Sequence, residues 1–174
     1  MDERKKSLLK ALEEDWKDAE GVGRISLFTR EELGAPMDIL RAEIMDYGAE
    51  VRPVLGEFFF LPLPETEVLY FVTVITLSDS LPEDRVYDAG LATARLNYYL
   101  PFGCFALGDH DKNLVFRHSI PVMGNQEEKD QFLAISNAAN TAVIISEQYE
   151  GYLRLALNGD ITVEEMAEMA GKGN

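Results

Sequence analysis

The reactive side chains of this chain gather in one stretch, GCFALGDHDKNLVFRHS, residues 103–119. It contains the only cysteine, Cys104, and both histidines, His110 and His118. A histidine that reaches a cysteine sulfur can generate a thiolate nucleophile, and cysteine with histidine is also a common zinc-binding combination. This stretch is therefore the first place to look for catalysis or metal binding.

A calcium-binding loop is one alternative for the same stretch. Asp109, Asp111 and Asn113 match positions 1, 3 and 5 of an EF-hand loop. The match ends there, because position 6 requires glycine and has Leu114, and position 12 requires glutamate and has Ile120. Asp and Asn side chains also hydrogen-bond to their own backbone in turns, so the pattern predicts the polar tip of a β-hairpin.

The expected register of this hairpin separates the cysteine from the histidine. Pairing the apolar positions of CFALGD and NLVFRHS places three pairs of residues directly opposite each other: Leu107 and Leu114, Phe105 and Phe116, Cys104 and Arg117. Because successive side chains point to opposite faces of a sheet, His118 shares a face with Phe116, whereas Cys104 lies on the other face. The register therefore predicts no Cys–His dyad. Two histidines eight residues apart also lack the paired-ligand spacing of structural zinc motifs.

Other signatures of catalysis are absent from the sequence. The chain has no Gly-rich phosphate loop, no HExxH motif and no GxSxG motif. We predict a non-enzymatic protein without catalytic, cofactor-binding or metal-binding residues. The alternative that remains open is an enzyme or small-ligand-binding protein that uses a pocket between a helix and the sheet.

The charge balance is strongly acidic, with 16 lysines and arginines against 31 aspartates and glutamates and a net charge of −15. Such a field repels phosphate backbones, so nucleic acid is not an expected partner. A single cysteine cannot form an intrachain disulfide, and no apolar run reaches the length of a signal peptide or a membrane span. We therefore expect a cytoplasmic protein without a membrane partner, which binds another protein.

Two helices are predicted in the first 48 residues. Leu8, Leu9, Leu12 and Trp16 recur at helical spacing within residues 2–20. Thr29 and Glu32 form a capping pattern, and a second helix is expected to begin near Pro36. Its apolar stripe contains Met37, Leu40, Ile44 and Tyr47, and Gly48 can end it.

Strands are predicted next. The β-branched and aromatic run from Val68 to Leu77 is typical of a strand that is covered on both faces. The preceding EFFFLPL is expected to be its neighbour, with Pro62 at its end and a turn at residues 64–66. Residues 51–55 suggest a short first strand, in which Pro53 must face an edge.

The remaining elements are three helices around the hairpin. Ser80, Pro82 and Glu83 predict the start of a helix that runs to about Tyr99. Asn125 and Glu128 predict the start of a helix of roughly thirty residues, about 45 Å long, and part of it is expected to overhang the domain as a homodimer contact. Thr162 and Glu165 can cap a short last helix before GKGN frays.

The order of elements predicts an α+β fold, an antiparallel sheet flanked by helices. We expect one domain over residues 1–160 with an N-terminal helical extension, followed by a short helix and tail over residues 161–174.

The run ARLNYYLPFGCFALGDHDKNLVFRHSIPV is similar to a known family. Asn97 ends a helix, Gly103 and Phe105 begin a strand, a polar tip follows, and LVFR at residues 114–117 precedes the long helix. In these features the segment from about residue 68 to residue 157 resembles the YbjN-like family of sensory transduction regulators, whose fold is shared with type III secretion chaperones.

This resemblance implies a layer of antiparallel sheet against helices, often in a homodimer, that works by contact with other proteins. It implies a regulator or a chaperone-like escort of another polypeptide, with no catalytic residues to transfer. Asn97, Gly103, Phe105 and Arg117 are carried over only as positions that define the fold. Residues 1 to about 48 and the helix after Gly159 depart from the family pattern and are candidates for contacts specific to this protein.

Overall fold

The α+β class is confirmed by the computed structural model, which describes residues 2–64, 67–108 and 110–172. Within these residues, six strands form one antiparallel sheet in the order β1-β2-β3-β4-β6-β5. In chain order the elements are α1 (Asp2–Trp16), β1 (Val22–Phe28), α2 (Arg30–Leu33), β2 (Ile39–Tyr47), β3 (Arg52–Phe60), β4 (Val68–Ser78), a 3-10 turn (Glu83–Arg85), α3 (Val86–Leu96), β5 (Cys104–Leu107), β6 (Leu114–Met123), α4 (Glu128–Asn158) and α5 (Val163–Lys172).

The four longer helices form one layer on one face of the sheet. Helix α1 packs against β1, β2 and β3, α4 against β4 and β6, and α3 against β5, while α5 packs on α3 and α4. The strand residues that contact these helices are directly opposite one another on neighbouring strands and therefore share a face. Leu40 pairs with Phe58, and Ile75 pairs with Phe116. The molecule therefore has two layers, and no described helix covers the second face of the sheet.

The hydrophobic core has two clusters that α4 connects. The first holds the α1 stripe of Leu8, Leu9, Leu12 and Trp16, and confirms the first predicted helix. The second holds residues of α3, α5 and the hairpin, and Val143 of α4 packs against both clusters. Near the start of α4, Gln131 accepts a hydrogen bond of 2.8 Å from Arg4 Nε, and near its end Leu153 is buried. The expected overhang is wrong, because both ends of α4 pack against the rest of the molecule.

The helix expected from Pro36 to Tyr47 is also wrong, because this segment forms strand β2. Leu40, Ala42 and Ile44 alternate toward the core, as strand residues do. The register shifts between Ile44 and Tyr47, where Asp46 has a left-handed φ of 54°, and this bulge returns Tyr47 to the helix side. Leu40, Ile44 and Tyr47, at steps of four and three, then fit a helix as well as a bulged strand. Strand β1 was not predicted at all.

Strands β3 and β4 fit the prediction in part. Strand β3 ends two residues before Pro62 and pairs with β4, but it runs unbroken through residues 51–55. The pairing of β3 with β4 ends at Leu55 and Thr76, before it reaches Pro53. The missing N–H of Pro53 therefore removes no hydrogen bond to β4. Strand β4 is covered by helices on one face only, and Tyr70 is 40% exposed on the other. The predicted turn at residues 64–66 falls largely outside the described residues.

The predicted helix ends differ in quality. Thr29 with Glu32, and Thr162 with Glu165, both form reciprocal capping boxes. Helix α3 begins later than expected, after a 3-10 turn that starts behind Pro82 without a side-chain cap, and ends at Leu96. Helix α4 has the predicted length and ends before Gly159, whose φ is 81°, but it begins at Glu128 without a side-chain cap. Helix α5 packs on the second cluster through the buried Met166 and Ala170.

Candidate functional site

The register of the β5–β6 hairpin is confirmed. The paired residues are those expected from the sequence: Cys104 and Arg117, Phe105 and Phe116, Ala106 and Val115, Leu107 and Leu114. Strand β6 also pairs with β4 along its whole length, so the hairpin is fixed within the sheet. The alternation that separates Cys104 from His118 is therefore a property of the fold.

The three reactive side chains of the hairpin lie in three different environments. Cys104 is a free, half-buried thiol on the face without helices. His118 lies on the helix side, 4.7 Å from Phe102 between ring centroids, and its burial lowers its pKa. His110 is exposed at the tip. No group of three or more metal-ligating side chains occurs within residues 2–64, 67–108 and 110–172.

The tip of the hairpin is held by backbone contacts. Gly108 N donates to Asn113 O at 2.9 Å, and Leu81 N donates to Lys112 O at 2.9 Å. Lys112 has a left-handed φ of 52° and forms an ion pair with Glu83. Asp109, one of the three residues that match EF-hand positions, lies outside the described residues, and Asp111 is exposed. The described tip is a tight turn tied to the loop before α3.

Two of the positions carried over from the family resemblance join α3 to the hairpin. The Asn97 side chain donates to Phe105 O at 2.9 Å and accepts from Phe105 N at 2.8 Å. Gly103 has a φ of 68°, and a side chain there would overlap the ring of Phe116. Both residues therefore determine how the chain leaves α3 and enters β5.

A charged ring of four side chains lies where the β2–β3 turn meets α4. Glu50 and Arg52 come from the β2–β3 turn and the start of β3, and Glu150 and Arg154 come from α4. Arg154 Nη1 is 2.6 Å from Glu50 Oε2, and Arg154 Nη2 also contacts Glu150 Oε1. Arg52 Nε is 3.7 Å from Glu50 Oε2, and Arg52 Nη2 is 3.7 Å from Glu150 Oε1. The ring is neutral overall and binds α4 to the turn.

The ring is unevenly exposed. The Glu150 side chain is 4% exposed, whereas that of Glu50 is 52% exposed. Arg52 Nη2 also donates to Leu77 O at 2.6 Å. Three buried atoms of the ring have no hydrogen-bond partner among the described residues: Arg52 Nε, Arg154 Nε and Glu150 Oε2. Buried polar groups are normally paired, so this ring is a rare concentration of unsatisfied ones.

The ring opens onto a cleft of about 720 Å³, which we call the arginine cleft after Arg52, Arg85 and Arg154 in its wall. Its apolar surface is formed by five leucines: Leu77, Leu81, Leu114, Leu153 and Leu157. Ligand pockets of about 300–1,000 Å³ with mainly apolar walls and a few convergent polar groups are typical of small-molecule sites. The arginine cleft has this size, and its wall combines the leucines with convergent charged side chains.

The uncovered face of the sheet is a second feature, which we call the open sheet face. Its exposed and half-exposed apolar side chains include Phe28, Leu55, Phe59, Tyr70, Pro121 and Met123. Its charged side chains are Arg24, Arg41, Glu43, Glu57 and Arg117. Arg41 Nε pairs with Glu57 at 2.9 Å and lies 5.5 Å from the Phe28 ring centroid. Cations outnumber acids on this face, although the chain as a whole is strongly acidic.

The outer side of α3 carries a third feature, the α3 stripe, which consists of Tyr87, Leu91, Ala94 and Tyr98. Tyr87, Leu91 and Ala94 follow one side of α3, and Tyr98 continues the spacing in the turn after the helix ends at Leu96. Tyr87 and Tyr98 are 80% and 84% exposed, and Leu91 is 39% exposed. A run of exposed aromatic and aliphatic side chains on one helix is typical of a contact surface.

The arginine cleft was missed in the sequence because its parts are distant in the chain. About one hundred residues separate Arg52 from Glu150, and no local motif links them. The one available signal was Glu150 with Arg154 at helical spacing on a side of α4 that also holds Leu153. The α3 stripe was visible in the sequence but was not separated from the buried side of α3.

Comparison with protein-family models gives no match, and comparison with curated proteins gives no significant similarity. Within the described residues, no helix combines the length and the apolar character needed to cross a membrane. The family resemblance of the hairpin region therefore remains a proposal. The arginine cleft, the open sheet face and the α3 stripe are the surfaces through which the chain could act.

Proposed function

We propose that this chain is a non-enzymatic protein-interaction module, a regulator or chaperone-like escort of another polypeptide, as the YbjN-like resemblance implies. The observation that supports this best is the open sheet face. All four longer helices lie on the opposite side of the sheet, and half-exposed apolar side chains remain on this one. Contiguous exposed apolar surface is typical of protein-binding sites.

The charges on the open sheet face indicate the chemistry of the partner. Arg24 and Arg117 are exposed and have no ion-pair partner among the described residues. We infer a polypeptide segment that presents apolar side chains beside an acidic residue. Nucleic acid is not proposed, because the net charge of −15 repels phosphate backbones at long range. A cytoplasmic location belongs to the same proposal, since one cysteine permits no intrachain disulfide.

The test is purification of the tagged chain from its native cells with a pair of matched variants. The open-face variant replaces Tyr70 and Met123 with glutamate. The control replaces Leu133 and Ile144, which are 46% and 61% exposed on α4, in the same way. We expect one stoichiometric partner with the wild type and the control, and its loss with the open-face variant. Equal capture by all three proteins, or no stoichiometric partner, would contradict the proposal.

We also propose that two copies pair through the α3 stripe. When two α3 helices lie antiparallel about a two-fold axis near residue 92, Tyr87 of each copy meets Tyr98 of the other and Leu91 meets Ala94. Asp88 then lies close to Arg95 of the other copy, so the charges beside the stripe are complementary as well. This contact replaces the one expected at the end of α4.

Sedimentation at micromolar concentration tests the homodimer. We expect about twice the monomer mass of 19.5 kDa for the wild type and for the Leu133→Glu control. Leu91→Glu with Tyr98→Glu should give the monomer, because each copy would bring two charges into the contact. A wild-type species of 19.5 kDa would exclude the dimer at this concentration.

A second candidate function, small-ligand binding, is favoured by the arginine cleft alone.

A further inference from the structure

The arginine cleft has an apolar surface beside a group of cations, so a ligand with an apolar body and an anionic group could contact both. Five leucines form an apolar floor, and three guanidinium groups lie around it. Arg85, at the exposed end of the 3-10 turn, has no ion pair or side-chain hydrogen bond among the described residues. A guanidinium presents N–H donors in a planar fork that matches both oxygens of a carboxylate.

The two glutamates of the ring are not equivalent toward such a ligand. Glu150 is almost fully buried on α4, so it is a fixed part of the wall that neutralises one arginine. Glu50 is half exposed, and it lies in a short turn where Val51 has a left-handed φ of 52° and is 63% exposed. Its carboxylate contacts Arg52 and Arg154 from the solvent side. Without it, three arginines would face Glu150 and Asp79 in the cleft wall, which leaves an excess of one positive charge.

We propose that the arginine cleft binds a small organic carboxylate with a short apolar body, and that Glu50 occupies the carboxylate position when no ligand is bound. The ligand carboxylate would replace Glu50 on Arg52 and Arg154, with Arg85 adding a third cation. Its apolar body would lie on the leucine floor, which contributes Leu77, Leu114 and Leu153. The exchange conserves charge at the ring, because one carboxylate leaves as another arrives. This site is independent of the open sheet face and of the proposed protein partner.

Two-dimensional amide NMR of the full chain with hexanoate as the probe tests the proposal. We expect saturable shifts confined to the β2–β3 turn, the end of β4, the 3-10 turn and the last two turns of α4, with a dissociation constant of about 1 mM or lower. Acetate lacks the apolar body, hexylamine carries the opposite charge, and inorganic phosphate lacks both the carboxylate and the apolar body. Each should bind at least about tenfold more weakly than hexanoate.

Three substitutions connect the shifts to the ring. Arg154→Gln should weaken hexanoate binding about tenfold or more, because a charge-assisted hydrogen-bond pair is lost. Arg85→Gln should weaken it about two- to fivefold without any change in the unfolding midpoint, so this result does not depend on the stability of the ring. Glu50→Gln should tighten it about two- to fivefold, because the competing carboxylate is removed. Arg117→Gln, on the open sheet face, is the matched control and should leave binding unchanged.

Several results would overturn the proposal. One is the absence of saturable shifts at the cleft in the wild type and in Glu50→Gln. Another is equal binding of hexylamine or phosphate, which would show unspecific association. Tighter binding after Arg85→Gln, or weaker binding after Glu50→Gln, would contradict the role of the charges. Loss of the protein partner in the purification experiment would leave these measurements unchanged, so the two proposals fail separately.

Discussion

The β5–β6 hairpin and the arginine cleft are the two regions of this molecule where polar and reactive side chains concentrate, and they are built in opposite ways. The hairpin collects its residues within one short stretch of sequence and then separates them. Cys104 lies on one face of the sheet, His118 on the other and His110 at the exposed tip. The cleft collects Arg52 and Glu150 from positions about one hundred residues apart and brings them into one ring.

The difference is also one of burial. In the described part of the hairpin tip, His110 and Asp111 are exposed, and the Lys112–Glu83 ion pair joins side chains that remain open to water. In the ring, Glu150 is buried and depends on two arginines for compensation. A buried charge that loses its partner is far more costly than an exposed one. Residues that are close in the sequence, as in the hairpin, thus need not interact, whereas distant residues, as in the ring, can depend on one another for charge compensation.

The largest effect should come from breaking the ring. Among the described residues, Arg154→Ala leaves the buried Glu150 with Arg52 as its one ion-pair partner, at 3.7 Å, and should lower the free energy of unfolding by about 3 kcal/mol. Urea denaturation followed by circular dichroism measures this. Arg117→Ala, at an exposed arginine, is the control and should change the value by less than about 0.5 kcal/mol. Replacing Glu150 and Arg154 together by leucine should recover most of the loss; an equal loss in the double variant would contradict the ring as its cause.

A smaller effect is expected where the hairpin is joined to α3. Asn97→Ala removes both side-chain hydrogen bonds to Phe105 and should cost about 2 kcal/mol, since the partly buried backbone groups of Phe105 lose their partners. Urea denaturation again gives the value. Asn140→Ala, at an exposed asparagine of α4, is the control and should be close to neutral. A neutral Asn97→Ala would show that the hairpin does not need this link.

The next effect is a pH dependence on the helix side of the hairpin. Burial lowers the pKa of His118 in the folded state, so the unfolded chain takes up the proton first as the pH falls. Stability from this group is therefore fully present above about pH 6.5 and decreases as the pH falls toward the lowered pKa. In His118→Gln, the difference in unfolding free energy between pH 7.5 and pH 5.5 should be smaller than in the wild type, by less than about 1 kcal/mol. His110→Gln should keep the wild-type difference, and identical curves for both variants would contradict the assignment.

The smallest effect should follow a change at the cysteine. Cys104→Ala removes a half-buried thiol with no other cysteine to bond to, and should change the unfolding free energy by less than about 1 kcal/mol. It should also leave the captured partner and the binding of hexanoate unchanged. A large loss of either function without unfolding would show that the hairpin is a reactive site and would reverse the comparison with the cleft.

Local patterns in the sequence were sufficient for much of the fold. The stripe of α1, the length of α4, the capping box of α5 and the hairpin register all arise from neighbours within a few residues. Strand β2 was mistaken for a helix because its bulge at Asp46 returns Tyr47 to the core at a spacing that a helix also produces. The ring could not be predicted, since the contact of Glu50 with Arg154 exists only once the turn is placed against α4.

The position of α1 has a consequence for how the chain assembles. Strands β1 to β4 each pair with their neighbour in sequence, so they can form hairpin by hairpin as the chain emerges from the ribosome. The apolar stripe of α1 is made earlier than any of them, yet part of its cover is Ile135 and Ala139 of α4, more than one hundred residues later. During synthesis, the N-terminal helix therefore lacks this cover until most of the chain has been made. Nascent chains of this protein should associate with general chaperones through α1 until α4 has been synthesised.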